Sequence, residues 1–209
     1  MSRNAADVRW VKVWDPLVRV FHWSTVTLFV CAYYSAEWGH NEDHLLFGYT
    51  LSVILLVRLI WGLIGTHHAR FRNFWYSPRH VLGYAASLKH GAPDHYLGHN
   101  PLGAMMVFSL LTMLVLMSVT GLLLAAGLEF EGPLLALTGM LSDDTVYQIL
   151  AIHRFVVYLL LGCVLLHVLG VVLSSRLHHE NLVFAMLSGK KPVPPESTKQ
   201  SHTKQSHKG

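Results

Sequence analysis

Two histidines, His153 and His167, interrupt an apolar run that extends from Thr145 to Ser175. Such a run is long enough to cross a bilayer, for which roughly 20 apolar residues suffice. The fourteen-residue separation is close to four helical turns, so both imidazoles leave nearly the same helix face, about 21 Å apart along the axis. An ionisable side chain inside a membrane is costly and by default marks a function. A lone imidazole can equally be a neutral, hydrogen-bonded core residue. Two on one stripe, displaced toward opposite leaflets, predict two stacked metal centres whose remaining ligands come from elsewhere in the chain.

The elements that must position them are membrane helices. With 52% hydrophobic and 13% charged residues over 209 positions, the chain is too apolar for an ordinary soluble domain. Apolar runs predict four spans, at about 16–34, 44–64, 101–126 and 145–175. Asp15-Pro16 and Asn100-Pro101 each read as a helix start, an N-cap side chain followed by proline at the first helical position. The first span begins late, contains Arg19 and His22 and lacks a small-residue cleavage site, so it reads as a span rather than a removed signal peptide. Between the second and third spans, 65–100 mixes aromatic and basic residues and reads as a surface-lying piece, with a short amphipathic helix starting at Ser77-Pro78. The predicted organisation is an N-terminal segment 1–15, a bundle 16–176, and a tail 177–209. The tail ends in the low-complexity stretch KQSHTKQSHKG, which reads as disordered, with His202 and His207 solvated.

Lysine and arginine set the orientation. Arg3, Arg9, Lys12 and Arg19 lie at the N-terminus, Arg70, Arg72, Arg79 and Lys89 in the central connection, and Arg176, Lys190, Lys191, Lys199, Lys204 and Lys208 after the last span. The other two loops carry none and hold Glu37, Glu42, Asp43, Glu129, Glu131, Asp143 and Asp144. Both termini therefore face the cytoplasm. Because the basic residues sort by membrane side, the net charge of +4 does not indicate a nucleic-acid partner.

This topology gives each histidine a depth. His22 and His167 fall in the inner half, His44 and His153 in the outer half, and only the pairs His22–His167 and His44–His153 match in depth. Two imidazoles on facing helices suit the axial positions of a haem iron, and filling both leaves an electron-transfer centre rather than an oxygen-binding one. Zinc normally requires three or four protein ligands, and neither depth supplies a carboxylate or thiolate. Cys31 and Cys163 form no CxxC or CxxCH motif, which argues against attached haem c and a disulfide framework. Gly48, Gly162 and Gly170 are candidates for close approach of a flat macrocycle, with tight helix packing as the alternative. Arg19, Arg58 and Arg154 are candidates for haem propionates or a quinone; for Arg19 and Arg58 the alternative is snorkelling to the surface. Met105, Met106, Met113 and Met117 read as packing. Of the remaining histidines His99, just ahead of a span, stands out; His67, His68, His80, His90, His95, His178 and His179 read as surface residues.

The segments VWDPLVRVFHW at 13–23, RLIWGLIGTHHARF, GHNPLGAMM at 98–106 and SSRLHHENLVFAMLSGKK resemble the bacterial cytochrome b561 family, which includes the cytochrome b subunits of membrane-bound nickel–iron hydrogenases. The resemblance covers roughly residues 10–191. It implies four helices holding two non-covalent haem b groups by bis-histidine ligation, with ligands from the first, second and fourth helices. His22, His44, His153 and His167 occupy those positions. It further implies a multi-pass protein of the bacterial inner membrane that passes electrons between a periplasmic redox protein, such as a cytochrome c or a hydrogenase-like subunit, and the quinone pool.

The fold expectation is thus an all-α membrane protein, a four-helix bundle around two stacked haems with both termini cytoplasmic, in contact with membrane lipid and quinone, and with homodimer formation open. Two other functions use the same histidines: a standalone quinone-linked oxidoreductase acting on a small species such as superoxide, and a histidine-based transporter or proton path. The absence of lysine and arginine from the outer loops counts against the first; a Soret band would exclude the second.

Overall fold

The computed structural model describes residues 9–89 and 96–193. Arg3, His90, His95 and the tail after Val193, with its low-complexity end, lie outside the described residues. Four long helices dominate: α1 (Pro16–Glu37), α2 (Asn41–Ile64), α4 (Pro101–Leu124) and α5 (Asp143–Leu177), with a short α3 (Pro78–Lys89) between α2 and α4 and α6 (Leu182–Ser188) after α5. Three are long and apolar enough to cross a membrane: α2, α4 together with its π-helical extension to Glu129, and α5. The helix over the first expected span is long enough, but Arg19, His22 and Glu37 lower its apolar character below that of the others. At 35 residues, α5 is about 52 Å long and overruns a hydrocarbon core of about 30 Å.

Local chemistry sets the helix ends. The Asp15 carboxylate accepts from the Val18 N–H, and the Asn100 side chain accepts from the Gly103 N–H, each followed by proline. Ser142 caps α5 the same way, through Thr145 N–H, with Asp143 and Asp144 in the first turn favouring the positive end of the helix dipole. Helix α1 turns into α2 through Gly39 at φ +76°, a left-handed conformation open to glycine at little cost. α4 leaves through a π-helical turn at Ala125–Glu129 and reaches Phe130 at φ 54°.

α1 packs on α2 and α4 on α5, and contacts of α2 with α4 join the two pairs; α3 lies against α4. The central core is Leu51, Leu55, Leu111, Leu114 and Leu160, with Phe21, Leu28 and Phe29 of α1, and Met113 and Met117 of α4, packed around it. Many large apolar side chains, among them Val53, Leu56, Phe155, Leu165 and Leu169, face outward, as lipid-facing surfaces require.

At one end the segment before α1 and the segment after α6 close on each other. Strand β1 (Arg9–Lys12) pairs antiparallel with β2 (Lys190–Val193), Lys12 opposite Lys190. Val13 and Trp14 both donate their N–H to the Gly189 carbonyl. Gly189 has φ +79°, and a Cβ there would stand 2.6 Å from the Trp14 carbonyl oxygen, so a larger residue would part the segments. Beneath this clasp lie Val13, Trp14, Val18, Ala69 and Ala185 and a buried ion pair, Lys191 Nζ to Glu180 Oε2 at 3.0 Å.

Candidate cofactor site

The four histidines singled out in the sequence meet in two pairs. His22 of α1 faces His167 of α5 with ring centroids 6.3 Å apart. His44 of α2 faces His153 of α5 at 6.4 Å. An imidazole nitrogen bonds a metal at about 2.0 Å and lies about 1.1 Å from its ring centre, so two trans imidazoles on one metal stand about 6.2 Å apart, centre to centre. Both pairs have this spacing. Among the described residues no group of three or more His, Cys, Asp or Glu could hold a metal ion, so a zinc site lacks its further ligands. Cys31 and Cys163 are free thiols.

The protein orients three of these rings differently. His44 Nδ1 lies 2.9 Å from the Ala32 carbonyl oxygen. A carbonyl only accepts, so Nδ1 carries the proton and the Nε2 lone pair is left for a metal. His153 Nδ1 lies 2.7 Å from Thr120 Oγ1. His22 Nδ1 is buried without a hydrogen-bond partner among the described residues.

Arg58 is 3% exposed, which corrects the snorkelling alternative: its guanidinium is folded inward. It donates to the Ala69 carbonyl at 3.3 and 3.4 Å, and its charge sits 4.9 Å from the Phe71 ring centre and 5.9 Å from that of Phe21. No carboxylate lies within ion-pair distance of it among the described residues. Arg19 donates to the Leu187 carbonyl, while its Nε is buried and unpartnered among the described residues, as are Thr25 Oγ1, Arg70 Nε and His99 Nδ1. Arg19 and Arg70 lie toward the clasp, where a carboxylate-bearing ligand would accept from their Nε–H groups. Arg154 is exposed, about 100° round the helix from His153, and so is not directed into the same pair. A Cβ at Gly48, Gly162 or Gly170 would meet nothing within 4 Å. No neighbouring helix of this chain therefore packs closely on these glycines, and Gly162 and Gly170 lie on the exposed face of α5. Gly121 approaches one of the four paired histidines; its Cβ would lie 3.4 Å from His153 Cε1.

Sequence reasoning passed over Thr120, Gly121 and the structural reach of Asp15. A threonine in an apolar helix carries no periodic signal, and its partner is 33 residues away. Asp15 reads as a cap alone, yet its second oxygen accepts from Trp61 Nε1 at 3.2 Å and from the Thr66 hydroxyl, tying α1 to the end of α2. Burial raises the Asp15 pKa, but hydrogen bonds from Thr66, Val18, Trp61 and Leu17 outweigh it and hold the carboxyl below its ordinary value. His99 is not a surface group: its ring lies 4.6 Å from Trp14 and 4.6 Å from Phe74, centre to centre, and burial, with nearby positive charge from Arg58 and Lys191, pushes it down to about 3.

A multi-pass helical protein with facing imidazole pairs within its bundle has the make-up of a membrane electron carrier of the b-type cytochrome class. The chain belongs to the prokaryotic cytochrome b561 family, whose model matches residues 13–189. Its relatives include a probable Ni/Fe-hydrogenase B-type cytochrome subunit of Bradyrhizobium diazoefficiens, 26% identical over 87% of this chain and 85% of that protein. One of the same description from Azotobacter vinelandii is 28% identical over 86% and 87%. A probable Ni/Fe-hydrogenase 1 B-type cytochrome subunit of Escherichia coli K12 is 24% identical over 75% and 71%. No solved structure matches. Haem b is the cofactor that the family implies, and the donor set, ring spacing and unpartnered polar atoms fit it.

Proposed function

We propose that the protein is a four-span dihaem cytochrome b that carries electrons between a periplasmic redox partner and the membrane quinone pool. The observation that carries this reading is the pair of facing imidazole couples, 6.3 and 6.4 Å between centroids, on helices long enough to hold them at two depths. Haem b, when bound, would supply one-electron exchange, and the two histidines of each pair would hold it. His22 and His167 hold the clasp-side group; His44 and His153 hold the other. Arg58, and Arg19 and Arg70 through their free Nε atoms, provide counter-charge for propionates at the clasp-side haem. Arg154 is the basic side chain nearest in sequence to the other pair. Gly48 and Gly170 let the macrocycles approach their helices.

In this reading α1 is the fourth span, with Arg19 and His22 turned toward the haem and the clasp, and the clasp faces the cytoplasm. The likeness to hydrogenase cytochrome subunits favours a hydrogenase-like subunit as the periplasmic partner. The quinone reacts beside the clasp-side haem, near His22, Arg58 and the central connection. The test is haem content and redox behaviour of the purified protein. Two acid-extractable haem b groups per chain, both low-spin and both reduced by quinol or oxidised by quinone, are expected. One haem per chain, or zinc in its place, would overturn the reading.

A further inference from the structure

The two imidazole pairs differ in what stands behind them. On the pair away from the clasp, the loop side of the bundle, both rings are held through Nδ1: His44 by the Ala32 carbonyl at 2.9 Å and His153 by Thr120 Oγ1 at 2.7 Å. The direction of the second bond follows from the rest of the Thr120 environment. Its hydroxyl points back along α4 to the Leu116 carbonyl at 2.6 Å, with Met117 at 3.2 Å. A hydroxyl has one proton and two lone pairs. With the proton committed to a backbone carbonyl, Thr120 meets His153 as an acceptor, so His153 Nδ1 is the donor and Nε2 is left unprotonated, as on His44. On the clasp-side pair, His22 Nδ1 is buried with no such acceptor among the described residues.

We propose that Thr120 is a positioning residue for His153, and that the Thr120 and Ala32 acceptors give the His44–His153 site a lower midpoint potential than the His22–His167 site. The inference rests on the haem-ligand reading above. A hydrogen bond accepted from the distal N–H of a ligating imidazole raises its basicity. A more electron-rich ligand favours the oxidised iron, and hydrogen bonding behind an axial ligand is one of the protein's means of setting the potential. The resulting order favours electron movement from the loop side to the clasp side. Thr120 also fixes the tautomer and rotation of a ring that otherwise could turn about its χ2 bond.

Optical redox titration of the holoprotein, with the two components resolved, tests this. Thr120→Val removes the hydroxyl and keeps the side-chain shape. It is expected to raise the midpoint of only the component that His153→Ala removes, and Thr120→Ser, which restores an acceptor, is expected to bring it back toward the parent value. If the valine variant loses haem, the serine variant alone decides: a retained low-potential component supports the role, and a shifted or lost one overturns it. Unchanged midpoints in Thr120→Val with both haems bound, or an equal shift of both components, would also overturn it. Failure of the ligand reading has a different signature, since His153→Ala would then leave both components in place.

Discussion

The Nδ1 atom of His44 lies 2.9 Å from the backbone carbonyl oxygen of Ala32. Helix α1 thus acts at both ends of the bundle: it contributes His22 to one imidazole pair and a carbonyl that orients a member of the other. The αα-hairpin of α1 and α2 is the unit that makes this possible, because its tight turn at Gly39 brings Ala32 back beside His44, twelve residues on.

The pairing makes a spectroscopic prediction. His22→Ala and His167→Ala are expected to remove the same haem component, about half of the total, and His44→Ala and His153→Ala the other. A double change within a pair adds little; one across pairs leaves almost no haem. Low-temperature absorption spectra of the variants check this, and loss of the same component from His22→Ala and His153→Ala would contradict it.

Orientation is checked by topology reporters. The basic residues at Arg9, Lys12, Arg70, Arg72, Arg176 and Lys190 all lie toward the clasp side of the chain's path, so a C-terminal fusion should report a cytoplasmic location. A fusion active only in the periplasm would exchange the inner and outer assignments.

Acid stability should show two windows at the clasp end. His99 has an ordinary value of 6.5 and about 3 when folded, so below 6.5 the unfolded chain takes up a proton that the folded one refuses. Its stabilising contribution is complete above 6.5 and is lost as pH falls toward 3. Asp15, held below 3.8, loses its contribution only as pH falls under that value. His99→Phe should flatten the decline of the thermal midpoint between pH 6.5 and 4. Asp15→Ala should lower the midpoint at neutral pH, by the equivalent of about 0.5–2 kcal/mol for the cap alone.

Leu160 stands seven residues from both His153 and His167 on α5 and is 2% exposed, so it fills the layer between the two pairs. Leu160→Ala should cost about 2–5 kcal/mol through the cavity it opens while leaving all four histidines in place. Haem content near the parent value together with a lowered thermal midpoint is the expected result; loss of one haem alone would show that Leu160 holds a macrocycle instead.

Much of this protein is legible in its sequence. Periodicity and the apolar runs mark the long helices, Asp15-Pro16 and Asn100-Pro101 mark two of their starts, and the fourteen-residue spacing on α5 puts both histidines on one stripe. These are local properties, set by the rise of a helix and by the chemistry of the first turn, and they need no knowledge of neighbours. Depth then narrows the choice of facing histidines, because helix direction converts position in the chain into position across a bilayer. Other features depend on which helix face meets which, and only the tertiary structure decides them. Thr120 gains its relation to His153 from the packing of α4 on α5, and Arg58 turns inward because Phe71, Phe21 and the Ala69 carbonyl await it. His99 is enclosed because the terminal clasp carries Trp14 over it. A side-chain contact across 33 or 85 residues leaves no mark in a pattern of hydropathy, since its energy comes from the partner and not from the residue's own place in the chain.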